Sequence, residues 1–157
     1  MAVEAPERAP GRAPGGRLFR SRSEGETRAL GERFGRQLDG GEVVVLSGDL
    51  GAGKTQFAKG VARGLGIAAE VVSPTFTMAV RYEGRLPLVH YDLYRVRSER
   101  ELVEMGFLES DDPREVALVE WGDRTEPPAG AIRVHIEIEP DGSRTIDIDG
   151  IDPGEAT

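Results

Sequence analysis

The sequence predicts an α/β fold whose sheet is parallel at its centre and carries antiparallel additions. Two observations predict it. A short β-branched run, Glu42 to Ser47, leads into a glycine loop and then into a segment whose apolar residues recur at helical spacing. Downstream of that unit strands outnumber helices, and two of the strand pairs read as hairpins. A strict strand–helix alternation would instead have predicted a wholly parallel sheet.

Each element has its own signal. Residues 1–16, MAVEAPERAPGRAPGG, are rich in Pro and Gly and lack aromatics. They read as a disordered tail, unable to bury enough apolar surface to order themselves. Arg17 to Arg22 alternates weakly and is a candidate first strand. Ser23 with Glu26 forms a capping box that opens a helix. Thr27, Leu30, Phe34 and Leu38 are that helix's apolar stripe, and Asp39-Gly40-Gly41 ends it. After the Val43 strand and the glycine loop, Phe57, Ala58, Val61, Ala62 and Leu65 mark a second helix that stops near Gly64 and Gly66.

Pro74 interrupts 71–77, which reads as an ordered loop. Thr77 to Tyr82 and Arg85 to Tyr91 read as an antiparallel pair joined at Glu83-Gly84. Ser98 to Met105 is a short polar helix, and Val116 to Glu120 is an apolar strand. Pro127-Pro128 breaks the chain. Ala131 to Ile138 and Arg144 to Ile148 alternate around Pro140-Asp141-Gly142 as a second hairpin. Residues 151–157 read as a loose tail, which leaves 17–150 as a single domain.

Composition narrows the function classes. With 157 residues the chain is long enough for one real core. A net charge of −8 and the lack of a basic stripe argue against tight autonomous binding to nucleic acid. There are no cysteines, so disulfides, thiol catalysis and Cys-based zinc sites are excluded. No apolar segment has the length of a membrane span, and the N-terminus lacks the apolar run of a secretory signal. A cytoplasmic location is the expectation.

The chemistry is concentrated in Gly48-Asp49-Leu50-Gly51-Ala52-Gly53-Lys54-Thr55, which fits G-x-x-x-x-G-K-[ST] at every fixed position. Glycines let the backbone curl so that successive N–H groups converge on phosphate oxygens. The following helix points its positive end at the same anion. Lys54 supplies a mobile point charge, and the Thr55 hydroxyl is placed to hold Mg²⁺. Eighteen of the twenty basic residues are arginines, yet a lysine stands where a compact ammonium must reach between phosphates. The fold is therefore expected to be three-layered and P-loop NTPase-like.

Other positions follow from this one. Asp92 ends the run Leu88 to Tyr91 and suits a second-strand Mg²⁺ acid; an ordinary strand-end Asp is the bland alternative. Glu120 ends a strand expected beside the phosphate-loop strand, where it would bind Mg²⁺ or orient water. Trp121, the only Trp, is either a core residue or a ring that closes over nucleotide or docks a partner. Thr75 is the preferred hydroxyl for a γ-phosphate contact from the loop, with a simple hydroxyl turn as the alternative. His90 and His135 lack ligand spacing and read as structural. The chain has no Asn, and hence no Asn-Lys-x-Asp guanine reader; adenine is the favoured base.

GDLGAGKT, SPTFT, HYDLYR and VEW occur in that order in a chain of about this size. Over Ser23 to Ile148 the chain resembles the bacterial TsaE (YjeE) family of small ATPases. Those proteins act with TsaB and TsaD in threonylcarbamoylation of the adenosine next to the tRNA anticodon. The resemblance implies that Asp49, Leu50, Gly51, Ala52, Gly53, Lys54, Thr55 and Gln56 hold the triphosphate of ATP. It implies that Thr55 and Glu120 meet Mg²⁺, with Asp92 as the second-strand acid. Thr75 and Thr77 would lie in a switch-like loop and Trp121 beside the site. Glu24 and Arg144 would lie near the nucleoside. Gln56 stands where many members carry Thr, and Gly122 where Pro is common.

The implied function is slow, partner-dependent, Mg²⁺-dependent ATP hydrolysis that resets a TsaB–TsaD complex, with tRNA met only indirectly and no membrane or disulfide partner. Two alternatives are a small-molecule kinase, whose lid would have to be Arg95 to Arg100, and an ATP-gated binding module with negligible hydrolysis.

Overall fold

A computed structural model describes residues 16–49, 51–72, 74, 78–121 and 126–151. Its elements are β1 (Arg17–Ser21), α1 (Glu24–Arg36), β2 (Val43–Ser47), α2 (Lys54–Gly64), β3 (Ala79–Tyr82), β4 (Leu88–Asp92), α3 (Glu99–Glu104), β5 (Val116–Glu120), β6 (Ile132–Ile138) and β7 (Arg144–Asp149). The seven strands form one sheet in the order β1-β7-β6-β2-β5-β4-β3. Strand β2 runs parallel to both β5 and β6, and β4 runs parallel to β5. The β6–β7 and β1–β7 pairs on one flank, and the β3–β4 pair on the other, are antiparallel. The expected parallel centre with antiparallel additions is what the chain forms.

Strand alternation divides the core into two layers of packing. Val44, Leu46, Leu88, Val116, Leu118, Val134, Ile136 and Ile146 face α1 and α2, where Leu30, Phe34, Phe57, Val61 and Leu65 meet them. Val89, Tyr91, Ala117 and Val119 face the other way, onto Leu102 of α3 and onto Phe107 and Leu108. Helices thus cover both faces of the sheet, giving the three layers expected.

Helices α1 and α2 touch backbone to backbone. Gly31 and Gly35 on α1 meet Gly60 and Gly64 on α2, each pair at i, i+4 spacing and so on a single helix face. A Cβ on Gly60 would fall inside contact distance of the Arg28 carbonyl oxygen, and one on Gly31 inside that of the Phe57 carbonyl oxygen. Small residues let helix backbones approach this closely, with Cα–H groups lying against carbonyls.

The turn after β3 differs from expectation. The ladder of β4 begins at Leu88 and not at Arg85, because Arg85 has another role. Its N–H donates to Leu65 O at 2.6 Å, and its guanidinium donates to Leu38 O and Gly35 O, both at 3.1 Å. A third, longer contact reaches Gly64 O at 3.4 Å. One side chain therefore satisfies carbonyls at the C-terminal ends of both α1 and α2, which helices leave unpaired. Strand β3 likewise starts at Ala79, after Met78 takes a positive φ of 63°. Ile151 packs on the larger core, and residues 1–15 and 152–157 lie outside the described residues. Among the described residues no helix is long and apolar enough to cross a membrane.

The helix contact yields a signed prediction. Ala is the better helix former by about 1 kcal/mol, yet at Gly60 its methyl must push α1 and α2 apart. Gly60→Ala is expected to lower unfolding free energy by about 1–3 kcal/mol, the usual range for overpacking. Gly25→Ala, where a Cβ meets nothing closer than 3.8 Å, is expected to be neutral or slightly stabilising. Chemical denaturation of the two variants checks this; a Gly60→Ala protein as stable as the parent would refute the contact.

Candidate functional site

The site lies at the carboxyl ends of the parallel strands, the edge at which ligands of open α/β sheets bind. Strand β2 ends at Ser47 and the loop begins at Gly48, with φ 144°. A Cβ there would strike the Ile136 carbonyl oxygen of β6, so the position requires Gly. Gly51 and Gly53 have φ of 80° and 111°, and Ala52 N–H donates to Asp49 O at 3.0 Å, closing the turn. Gly51 has open space where a side chain would stand. Leu50 lies outside the described residues.

Helix α2 then starts at Lys54. Its N-cap, Gly53, offers no side-chain hydrogen bond, and its first turn contains no acid. The other two helices are capped: Ser23 accepts from Glu26 N–H on α1, and Ser98 accepts from Glu101 N–H on α3. Among the described helices, the one at the loop alone leaves its first amides without a side-chain cap, and no acid stands in its own first turn. Both features suit an anion supplied from outside.

Lys54 is buried, at 6% exposure. Its ammonium donates to Gly48 O and Asp49 O and lies 3.4 Å from the centre of the Trp121 ring, a cation–π geometry. Trp121 takes a left-handed φ of 64°, a conformation that costs a non-glycine residue about 1–3 kcal/mol and clusters at functional sites. Its N–H donates to Leu46 O at 3.0 Å, and its ring meets that of Tyr94 at 5.2 Å.

The two carboxylates stand side by side. Register pairs Asp92 with Glu120 across β4 and β5, and Glu120 with Leu46 across β5 and β2. Both are buried, Glu120 at 3% and Asp92 at 6% exposure, on the sheet face that α2 covers. Asp92 Oδ1 accepts from Tyr94 N–H at 3.0 Å. Glu120 Oε2 is hydrogen-bonded to Nε2 of His90. His90, structural by its sequence pattern, is buried as that pattern implies, and it is tied to Glu120, a link the pattern alone does not reveal. The available signal was alternation: His90 lies two residues before Asp92 and shares its face.

A cavity of about 230 Å³ adjoins the loop, lined by Ser21 at the end of β1, by Arg22, Ser23, Glu24 and Thr27 leading into and along α1, by Gly51, Ala52, Gly53 and Gln56, and by Gly142 and Arg144. Glu24, exposed at the first position of α1, and Arg144, at the start of β7, are thus brought to the same opening. Arg144 also braces the loop. Its Nε donates to Ala52 O at 2.9 Å and one terminal nitrogen to Gly51 O at 3.2 Å. Asp141, at the tip of the same hairpin, accepts from the Ser143 hydroxyl and N–H, and these bonds hold its carboxyl below the usual carboxylate range. Gln56 receives a hydrogen bond from Arg28 of α1 at 2.6 Å. Asp49 is exposed beside the turn, and Thr55 is half-buried in the first turn of α2.

Thr75 and Thr77 lie outside the described residues. His135 bonds Ser47 at 2.8 Å through Nδ1 and Glu137 at 3.2 Å through Nε2, tying β6 to the end of β2. Of the arginines proposed for a lid, Arg100 is paired with Glu104 of its own helix.

The donors fit a magnesium nucleotide. Among the described residues no three His, Cys, Asp or Glu side chains group as a self-sufficient metal cage. Mg²⁺ in phosphate-loop proteins needs none, since phosphates and water complete its octahedron around one or two protein oxygens.

The Arg144 brace predicts a local effect. Replacing it with Met is expected to raise amide hydrogen exchange in 51–54 about tenfold, the loss of hydrogen bonds to a charged donor worth about 1.5 kcal/mol. Lys should not restore protection, because an ammonium lacks the fork that spans two carbonyls. Unchanged exchange by mass spectrometry would refute the brace.

Comparison with known proteins adds an independent line. The family model described as "Threonylcarbamoyl adenosine biosynthesis protein TsaE" matches residues 21–146. A tRNA threonylcarbamoyladenosine biosynthesis protein TsaE from Treponema pallidum is 43% identical over 130 residues, covering 82% of this chain and 96% of that protein. The protein of the same description from Bacillus subtilis is 44% identical over 115 residues, covering 73% and 72%. The crystal structure of Bacillus subtilis YdiB superposes with a TM-score of 0.70 at 34% identity, over 85% of this chain and 84% of that one.

Proposed function

The chain belongs to the TsaE family, whose role lies in tRNA threonylcarbamoyladenosine biosynthesis, and from that premise we propose that it is a Mg²⁺-dependent ATPase of the pathway. It works in the cytoplasm with TsaB and TsaD proteins and meets tRNA only through them. The observation that carries this reading is the meeting of an uncapped α2 N-terminus, a buried Lys54 and two buried carboxylates at one sheet edge.

The chemistry follows from these positions. Loop amides and the α2 N-terminus bind the phosphates, and Lys54 leaves Gly48 O and Asp49 O to meet the outer ones. Exchanging carbonyl dipoles for a full negative charge makes that transfer favourable. Thr55, Glu120 and Asp92 would hold Mg²⁺, which when bound neutralises charge developing on the transferred phosphoryl group. Glu120 accepts a hydrogen bond from the attacking water and orients it. Trp121 covers the Lys54 side of the site and limits solvent there. The cavity beside Glu24 and Arg144 receives the nucleoside.

The test is ATP turnover by the purified chain with its two partners. Lys54→Ala is expected to lose nucleotide binding. Glu120→Gln is expected to bind ATP normally in the absence of Mg²⁺ and to lose turnover by about 10²-fold or more, the usual scale for losing a positioned base. Turnover in the parent no greater than in Lys54→Ala would refute the ATPase reading. Normal tRNA modification by Glu120→Gln would instead favour an ATP-gated binding module.

A further inference from the structure

We infer that His90 is a positioning residue for Glu120: its Nε2–H holds the carboxylate in the one rotamer that presents it to metal or water. The inference rests on the ATPase reading above and assigns a role to a residue that touches neither substrate nor metal in that reading.

The geometry is specific. His90 is wholly buried and its described partner is the Glu120 carboxylate. The register sets His90 opposite Leu118 and Asp92 opposite Glu120, so His90 and Glu120 are diagonal neighbours on one sheet face. Diagonal pairs across adjacent strands lie within reach of long side chains. The backbone of Glu120 is already held: its carbonyl accepts from Leu93 N–H at 3.1 Å, and the next residue's N–H bonds Leu46 O. Only the side-chain torsions of Glu120 remain free, and the bond from His90 removes that freedom. A carboxylate only accepts, so Nε2 is the donor. Nδ1 has no described hydrogen-bond partner, so the bond through Nε2 to Glu120 is the described tie of the ring.

Packing does not explain the pair. His90 sits between Leu88 and Asp92 along β4, and Leu88 and Leu118 on the same face are fully buried. An aliphatic or aromatic side chain would fill this space without desolvating a polar ring, and buried polar pairs are often no more stable than such replacements. What the histidine adds is a fixed direction for one carboxylate oxygen, which leaves the other for a ligand.

Three variants decide the matter: His90→Gln, which keeps a donor at similar reach, His90→Leu, which removes it, and Glu120→Gln. Two readouts are taken on each preparation, ATP turnover with partners and calorimetric affinity for ADP with and without Mg²⁺. His90→Leu is expected to bind ADP without Mg²⁺ within threefold of the parent, which also shows that it is folded. Its turnover should fall at least 30-fold with little change in KM, and the factor by which Mg²⁺ tightens ADP should shrink toward that of Glu120→Gln. His90→Gln should recover most of both, and adding His90→Leu to Glu120→Gln should cost little more. Equal losses in His90→Leu and His90→Gln, or additivity with Glu120→Gln, would overturn the inference in favour of packing. If the parent shows no turnover, the ATPase reading fails on its own, and the Mg²⁺ response still decides His90: one unchanged in His90→Leu overturns its role.

Discussion

The contact between α1 and α2 governs the geometry of everything near the loop. Four glycines remove the side chains that would hold two helices at an ordinary distance. At the C-terminal ends the approach is close enough for the single guanidinium of Arg85 to reach carbonyls of both helices. At the other ends it sets the capped start of α1 beside the uncapped start of α2. The cavity wall formed by Ser23, Glu24 and Thr27 is therefore rigidly placed relative to Gly53 and Gln56. Backbone packed on backbone is not deformable in the way a layer of long side chains is.

Much of this was legible in the sequence, because the relevant signals were local. The Val43 run, the capping box at Ser23 and the alternation of the last two strands each report on neighbours within a few residues. The adjacency of Glu120 to the loop strand followed from one general rule about such sheets. What was missed depends on partners distant in the chain. The start of β4 was misplaced because Arg85 is claimed by helix ends some twenty and fifty residues away. The glycines at 31, 35, 60 and 64 look like helix-weakening noise until two helices are laid together, although their matched spacing was visible. His90 looked like a core residue because its partner is thirty positions downstream.

The site concentrates costs that the rest of the fold must offset. Lys54, His90, Asp92 and Glu120 are all nearly or wholly buried, and Trp121 holds a strained backbone angle. Each would be more comfortable in water or as a hydrocarbon. The compensation lies in two well-filled aliphatic layers on either side of the sheet. Sites of this kind trade stability for a prepared electrostatic environment. Four of these five residues, Lys54, Asp92, Glu120 and Trp121, lie at one edge, where β2, β5 and β4 end.

The first and last strands lie side by side, with Arg17 opposite Ile148 and Ser21 opposite Arg144. Ser21 and Arg144 also both line the cavity next to the loop. The pocket is thus stitched from the two extremes of the domain, while the glycine loop itself is complete a third of the way along. During synthesis the loop and its helix leave the ribosome long before the strand that closes the pocket. The pocket is closed only when β7 is made, and a product cut short after β6 would carry an intact glycine loop with no third wall and no brace behind it.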